Sequence, residues 1–159
     1  MIDIVKANLS TIQHADALIE LMNTYATDPM GGGIELAEEV KRSLAPILSK
    51  RTDVHIFLAF VDSQAAGLMT SFEGFSTFQC KPLLNIHDVI VASQYRGLGL
   101  SRMLFDATEN LAIKIGCCKL TLEVLENNTI AKTAYSQFGF KAYELDPKMG
   151  KALFWEKPL

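Results

Sequence analysis

Between Leu83 and Leu125 the sequence changes its hydrophobic period twice, and this constrains the fold more than anything else in the chain. Leu83 to Val91 is rich in Ile, Val and Leu and reads as a strand. Gln94-Tyr95-Arg96-Gly97-Leu98-Gly99-Leu100-Ser101 then turns the chain, and Met103, Leu104, Ala107, Leu111 and Ile115 recur at helical spacing. Gly116 is placed to end that helix, and Leu120 to Leu125 returns as a strand. Residues 83–125 therefore make a βαβ unit, which requires a sheet with a helix laid against it.

The rest of the chain is read around that unit. Ile2 and Ile4 alternate like a first strand, and Ala17, Leu18, Leu21 and Met22 mark a helix from about Ser10 or Thr11. Asp28-Pro29-Met30-Gly31-Gly32-Gly33 breaks it, because Pro and three glycines continue a helix only at high cost. Leu36, Val40, Leu44, Ile47 and Leu48 mark a second helix with Glu38, Glu39, Lys41 and Arg42 outside. Val54–Val61 and Ala66 to about Phe75 form a hairpin around Asp62-Ser63-Gln64. Asn128–Phe138 is a short helix ended by Gly139, and Phe140–Leu145 and Ala152–Trp155 read as two closing strands. The expected order is β-α-α-β-β-β-α-β-α-β-β: an α/β fold with one mostly antiparallel mixed sheet of six to seven strands and helices on both faces.

Composition enters as a set of exclusions. The 159 residues fit one domain over 1–159, with no repeat, linker or low-complexity tract. The net charge of −3 lacks the footprint of a nucleic-acid binder. No apolar run approaches the roughly 20 residues that span a bilayer, and the N-terminus lacks signal-peptide character. Cys80 and the adjacent Cys117 and Cys118 spell neither a disulfide framework nor a zinc site, and Cys117-Cys118 falls before a buried strand as inert packing. His14 and His55 have no ligand partners nearby in sequence, so no metal is expected. A reduced, cytoplasmic location follows as the expectation.

The chemistry lies in the glycine turn. Two glycines let the backbone turn tightly, and the first N–H groups of the following helix have no partner within it. With the helix dipole, Arg96 and the Ser101 hydroxyl added, a phosphate or pyrophosphate is the natural occupant. The triphosphate loop with its Gly-Lys-Ser/Thr ending is absent, and Arg102 stands where the dinucleotide fingerprint has its third glycine. Two segments do match a family. Gln94-x-x-Gly97-x-Gly99 is similar to the Gln/Arg-x-x-Gly-x-Gly/Ala signature of the GNAT superfamily of acyl-CoA-dependent N-acyltransferases. Asn128-x-x-Ala131-x-x-x-Tyr135-x-x-x-Gly139-Phe140 resembles that family's second motif. The resemblance runs from about Val54 to Trp155, and Lys81–Val91 resembles the corresponding stretch of diamine and thialysine acetyltransferases. It implies the GNAT fold, whose fourth and fifth strands splay to admit the pantetheine arm.

The resemblance also implies roles. Val89, Ile90 and Val91 would bond the pantetheine amides. Gln94 belongs to the signature, and the turn Arg96, Gly97, Leu98, Gly99, Leu100 and Ser101, with Arg102 beside it, would hold the pyrophosphate of acetyl-CoA. Asn128 would contact the cofactor arm and cap its helix. Tyr135 would protonate the departing thiolate, as a phenol with an ordinary pKa near 10 is equipped to do. In diamine and thialysine acetyltransferases a Glu-Asp pair stands where this chain has His87-Asp88. His87 is the favoured base and Asp88 its alternative, with a water relay also open; strand alternation would send the two to opposite faces. Asp28, Glu35 and Glu73 are candidate charges for a cationic amine, and Phe72, Phe75 and Phe78 candidate pocket walls.

The function expected is N-acetyl transfer from acetyl-CoA to the primary amine of a small molecule, by direct attack in a ternary complex. A peptide or protein acceptor, or a silent CoA-binding module, is the alternative. The family implies a homodimer.

Overall fold

The computed structural model describes residues 1–159. The chain falls into two compact units, Met1–Leu122 and Glu123–Leu159. The first contains strands β1 (Ile2–Lys6), β2 (Val54–Val61), β3 (Gln64–Ser76), β4 (Lys81–Val91) and β5 (Leu120–Leu122), with helices α1 (Ile12–Thr27), α2 (Glu38–Leu48) and α3 (Leu100–Lys114). The second contains α4 (Thr129–Phe138). No helix is long and apolar enough to cross a membrane.

The five strands lie in chain order, β1-β2-β3-β4-β5. The first three pairings are antiparallel and β4 with β5 is parallel. Registry assigns the faces. Ile56, Leu58, Leu68 and Ile90 share one face and join Ala17, Leu18 and Leu21 of α1 and Ala45 and Leu48 of α2 in a buried cluster. Met69 is on the opposite face, where it accepts a hydrogen bond from Thr108 of α3 (3.0 Å). Helices thus cover both sheet faces, and Ala66–Ser71 of β3 is buried throughout. Gly67 is needed there, since a Cβ would meet the Ile90 carbonyl at 3.1 Å and Leu104 Cδ1 at 3.2 Å.

Two features of β4 position the site. It pairs with β5 only through Leu84, Asn85 and Ile86 and continues alone on that side from His87 to Val91. This is the splay expected between the fourth and fifth strands. Across β3 the register also slips, with Ser71 opposite Ile86 but Thr70 opposite Asp88, which leaves His87 as the extra residue of a β-bulge.

The closing strands are a correction. The sheet has five strands instead of six or seven, and beyond α4 only an isolated bridge, Glu144 with Lys151, joins the expected pair. Asp146 caps a 3-10 turn at Pro147–Met149, and the flanking Leu145, Leu153, Phe154 and Trp155 are all at least 75% exposed. Alternation without a face to bury gives a two-stranded hairpin nothing to hold its register. The fifth strand also ends at Leu122, short of the expected Leu125.

Candidate functional site

The bulge changes what β4 presents. Thr70 and Phe72 are two apart in β3 and share a face, the one toward α1 and α2. Asp88 is the cross-strand partner of Thr70, and the His87 ring stands edge-on to Phe72 with centroids 5.3 Å apart. His87 and Asp88 therefore lie on the same side of the sheet, contrary to the alternation expected for a regular strand. The inserted residue is the physical reason.

The two side chains differ in environment. His87 is exposed, whereas Asp88 is half-buried and its carboxyl is pushed above the usual carboxylate range. Burial is the main cause; the His87 charge and the Thr70 hydroxyl act in the opposite direction, although Thr70 Oγ1 forms no full hydrogen bond. Tyr25 of α1 closes the other side. Its phenol is raised by burial, then by the charges of Asp88 and Asp28, and donates a long hydrogen bond to the Met30 carbonyl (3.4 Å). Nothing in the sequence motifs singled out Tyr25 or Thr70. For Tyr25 the signal was present, since it continues the Leu18, Leu21 and Met22 face of α1 one turn further.

The loop after α1 reaches the glycine turn. Asp28 caps the 3-10 turn Pro29–Gly31 by accepting from the Met30 N–H (2.9 Å), and its other oxygen is 3.8 Å from Arg96 Nη2. Gly97 and Gly99 have φ of +84° and +76°, a left-handed backbone that favours glycine. An added Cβ at either would meet nothing within 4 Å, so the requirement is conformational and the turn's outer side is open. The first backbone bond of α3 is Met103 N–H to the Gly99 carbonyl (3.2 Å), which leaves the Leu100 and Ser101 N–H groups without an acceptor in the helix. Gln94 is exposed beside Ser93, whose hydroxyl donates to its side-chain oxygen (3.4 Å), and Arg102 bonds Asp106 along α3 (3.3 Å). Val89 and Val91 are half-buried and Ile90 is buried in the α1–α2 cluster.

Other candidates fall elsewhere. Glu73 is on the α3 side of the sheet, the face opposite Phe72, where it bonds buried His55 (2.7 Å). Glu35 pairs with Lys41 at the start of α2 (3.0 Å). Of the aromatics only Phe72 borders His87, and the Arg51 guanidinium covers its ring at 5.4 Å; Phe75 and Phe78 are exposed. Cys117 is held protonated, its thiol lifted by burial and then by Glu73 and Cys118, which suits packing and not nucleophilic attack. In the second unit Asn128 is the N-cap of α4, its side chain accepting from Ala131 N–H (3.1 Å). Tyr135 is half-buried on the same helix, its ring edge-on to Phe140.

An open glycine turn at the start of α3 thus follows a strand whose parallel pairing has already ended. The chain belongs to the acetyltransferase (GNAT) family, a model of which matches residues 16–140, and it is an acyltransferase. It is 28% identical over 127 residues to a thialysine N-epsilon-acetyltransferase of Caenorhabditis elegans, covering 79% of this chain and 76% of that one. It is 30% identical over 95 residues to an L-ornithine N5-acetyltransferase of Arabidopsis thaliana, covering 58% of this chain and 42% of that one. The fold is similar to the crystal structure of a probable acetyltransferase, with a TM-score of 0.80 and 21% identity over 99% of this chain and 97% of that one.

Proposed function

We propose that the protein transfers the acetyl group of acetyl-CoA to the primary amine of a small molecule by direct attack in a ternary complex. One observation carries the reading: β4 parts from β5 at His87 and there holds His87 and Asp88 together on the α1–α2 face. The relatives named for thialysine and L-ornithine acetylation support a small amine as acceptor.

The residues present fit acetyl-CoA. The left-handed Gly97 and Gly99 and the unpartnered N–H groups of Leu100 and Ser101 make an anion cradle to which Arg96 adds charge. The free edge of β4 at Val89–Val91 offers backbone groups to the pantetheine amides. The bound thioester supplies an activated acyl carbon. His87 accepts the amine proton, directly or through water, while ionised Asp88 stabilises the positive charge beside it. The amine lone pair forms the C–N bond as the C–S bond breaks, and Tyr135 gives its proton to the thiolate. Much of the rate comes from holding the two reactants in place. The whole of 1–159 acts as one domain in this reading, and a second copy covers the exposed Leu153, Phe154 and Trp155 in a homodimer.

The test is thiol release from acetyl-CoA against polyamines, aminoalkyl amino acids, aminoglycosides and short peptides. Acceptor-dependent release by the wild type is expected, falling about 10²-fold or more in Tyr135→Phe and in His87→Ala. Release with peptides alone would move the acceptor class. Binding of acetyl-CoA without release for any amine would make the protein a binding module.

A further inference from the structure

Thr70 stands in the middle of β3, 2% exposed, and its hydroxyl oxygen has no hydrogen-bond partner. A buried hydroxyl without a partner costs folding free energy, and valine has the same shape without that cost. Folding alone therefore gives no reason for threonine here. Its partner in β2 is Ile56, which offers no acceptor, and its partner in β4 is Asp88, immediately beside the bulged His87.

We propose that Thr70 is a positioning residue for acetyl transfer: its hydroxyl is reserved for Asp88 and donates to that carboxylate when it is ionised, keeping a half-buried negative charge beside His87. The proposal rests on the amine-acetylation reading, in which Asp88 serves the protonated amine and the imidazolium. The groups facing Asp88 are few. His87 adjoins it on β4, Tyr25 faces it from α1 with Asp28 beyond, β3 offers Thr70, and Ile56 of β2 is apolar. Burial alone drives Asp88 toward its neutral form, and the Thr70 hydroxyl opposes that drift.

Thr70→Val and Thr70→Ser separate this role from a structural one. Valine keeps the shape and loses the hydroxyl; serine keeps the hydroxyl and loses a methyl group. Thr70→Val is expected to melt at or above the wild-type temperature, with the Asp88 carboxyl, followed by carbon-13 NMR, titrating at higher pH. Its kcat/KM for the amine is expected to fall about tenfold on the acid side of the pH profile. Thr70→Ser is expected to melt lower yet keep the wild-type titration and nearly the wild-type kcat/KM. A Thr70→Val protein whose Asp88 titration and pH profile superimpose on the wild type overturns the proposal. If the wild type acetylates no amine, the underlying reading fails, and the Asp88 titration, which needs no substrate, still decides whether Thr70 holds the charge.

Discussion

Asp88 carries a conflict between stability and chemistry. Its carboxyl is lifted above 3.8 mainly by burial, so the folded chain binds that proton more tightly than the unfolded chain. The sign follows from linkage: this group favours folding most at acid pH, and stability declines as pH rises through the raised value and then levels off. Asp88→Asn removes the charged form. Calorimetry near neutral pH should show a melting temperature at or above wild type, with the gain vanishing in acid, while kcat/KM for the amine falls about 10²-fold. A destabilised Asp88→Asn at neutral pH would show the carboxylate to be structural. Sequence drew attention to His87 and Asp88 as residues, because both titrate and they stand where the resembled family has a Glu-Asp pair, His87 in place of the glutamate. Their relation was hidden, since a bulge depends on pairing with β3 and leaves no mark in the order of side chains.

At the scale of elements, the bulge and the glycine turn give separable tests. Removing His87 altogether leaves Ile86 opposite Ser71 and Asp88 opposite Thr70, so the pairs on either side keep their partners. The deletion should fold with wild-type circular dichroism and lose about 10²-fold or more in turnover, the cost of misplacing a reacting group. Gly99→Ala places a Cβ on a left-handed residue with no clash, at a cost of about 1 kcal/mol in stability. Its kinetic effect should appear chiefly as a raised KM for acetyl-CoA. Elements with a face to bury were legible: α1, α2, α3 and the central strands follow their apolar periods to within a few residues. The strands expected after Phe140 were not, because their alternating apolar residues meet no partner surface, and β-propensity describes packing more than backbone preference.

For the whole molecule, the division at Leu122 separates a unit built around the sheet from one whose residues 141–159 are all exposed. Trypsin at low ratio should therefore cut first after Lys141, Lys148 and Lys151, leaving a fragment near residues 1–141 visible by mass spectrometry. First cuts at Lys50 or Lys119 would contradict this. The βαβ period change made the sheet-with-helix architecture readable from sequence, whereas the three-residue limit of the β4–β5 pairing follows from β5 ending at Leu122, which the apolar run to Leu125 does not reveal. That limit has a consequence for amide exchange with deuterium. Beyond Ile86, the β4 amides directed away from β3 have no strand to shield them, so they should exchange quickly in the free protein, while those at Leu84 and Ile86 lag. A cofactor bound along that edge would slow only the fast set, so deuterium uptake at His87–Val91 records occupancy without any acceptor, turnover or label.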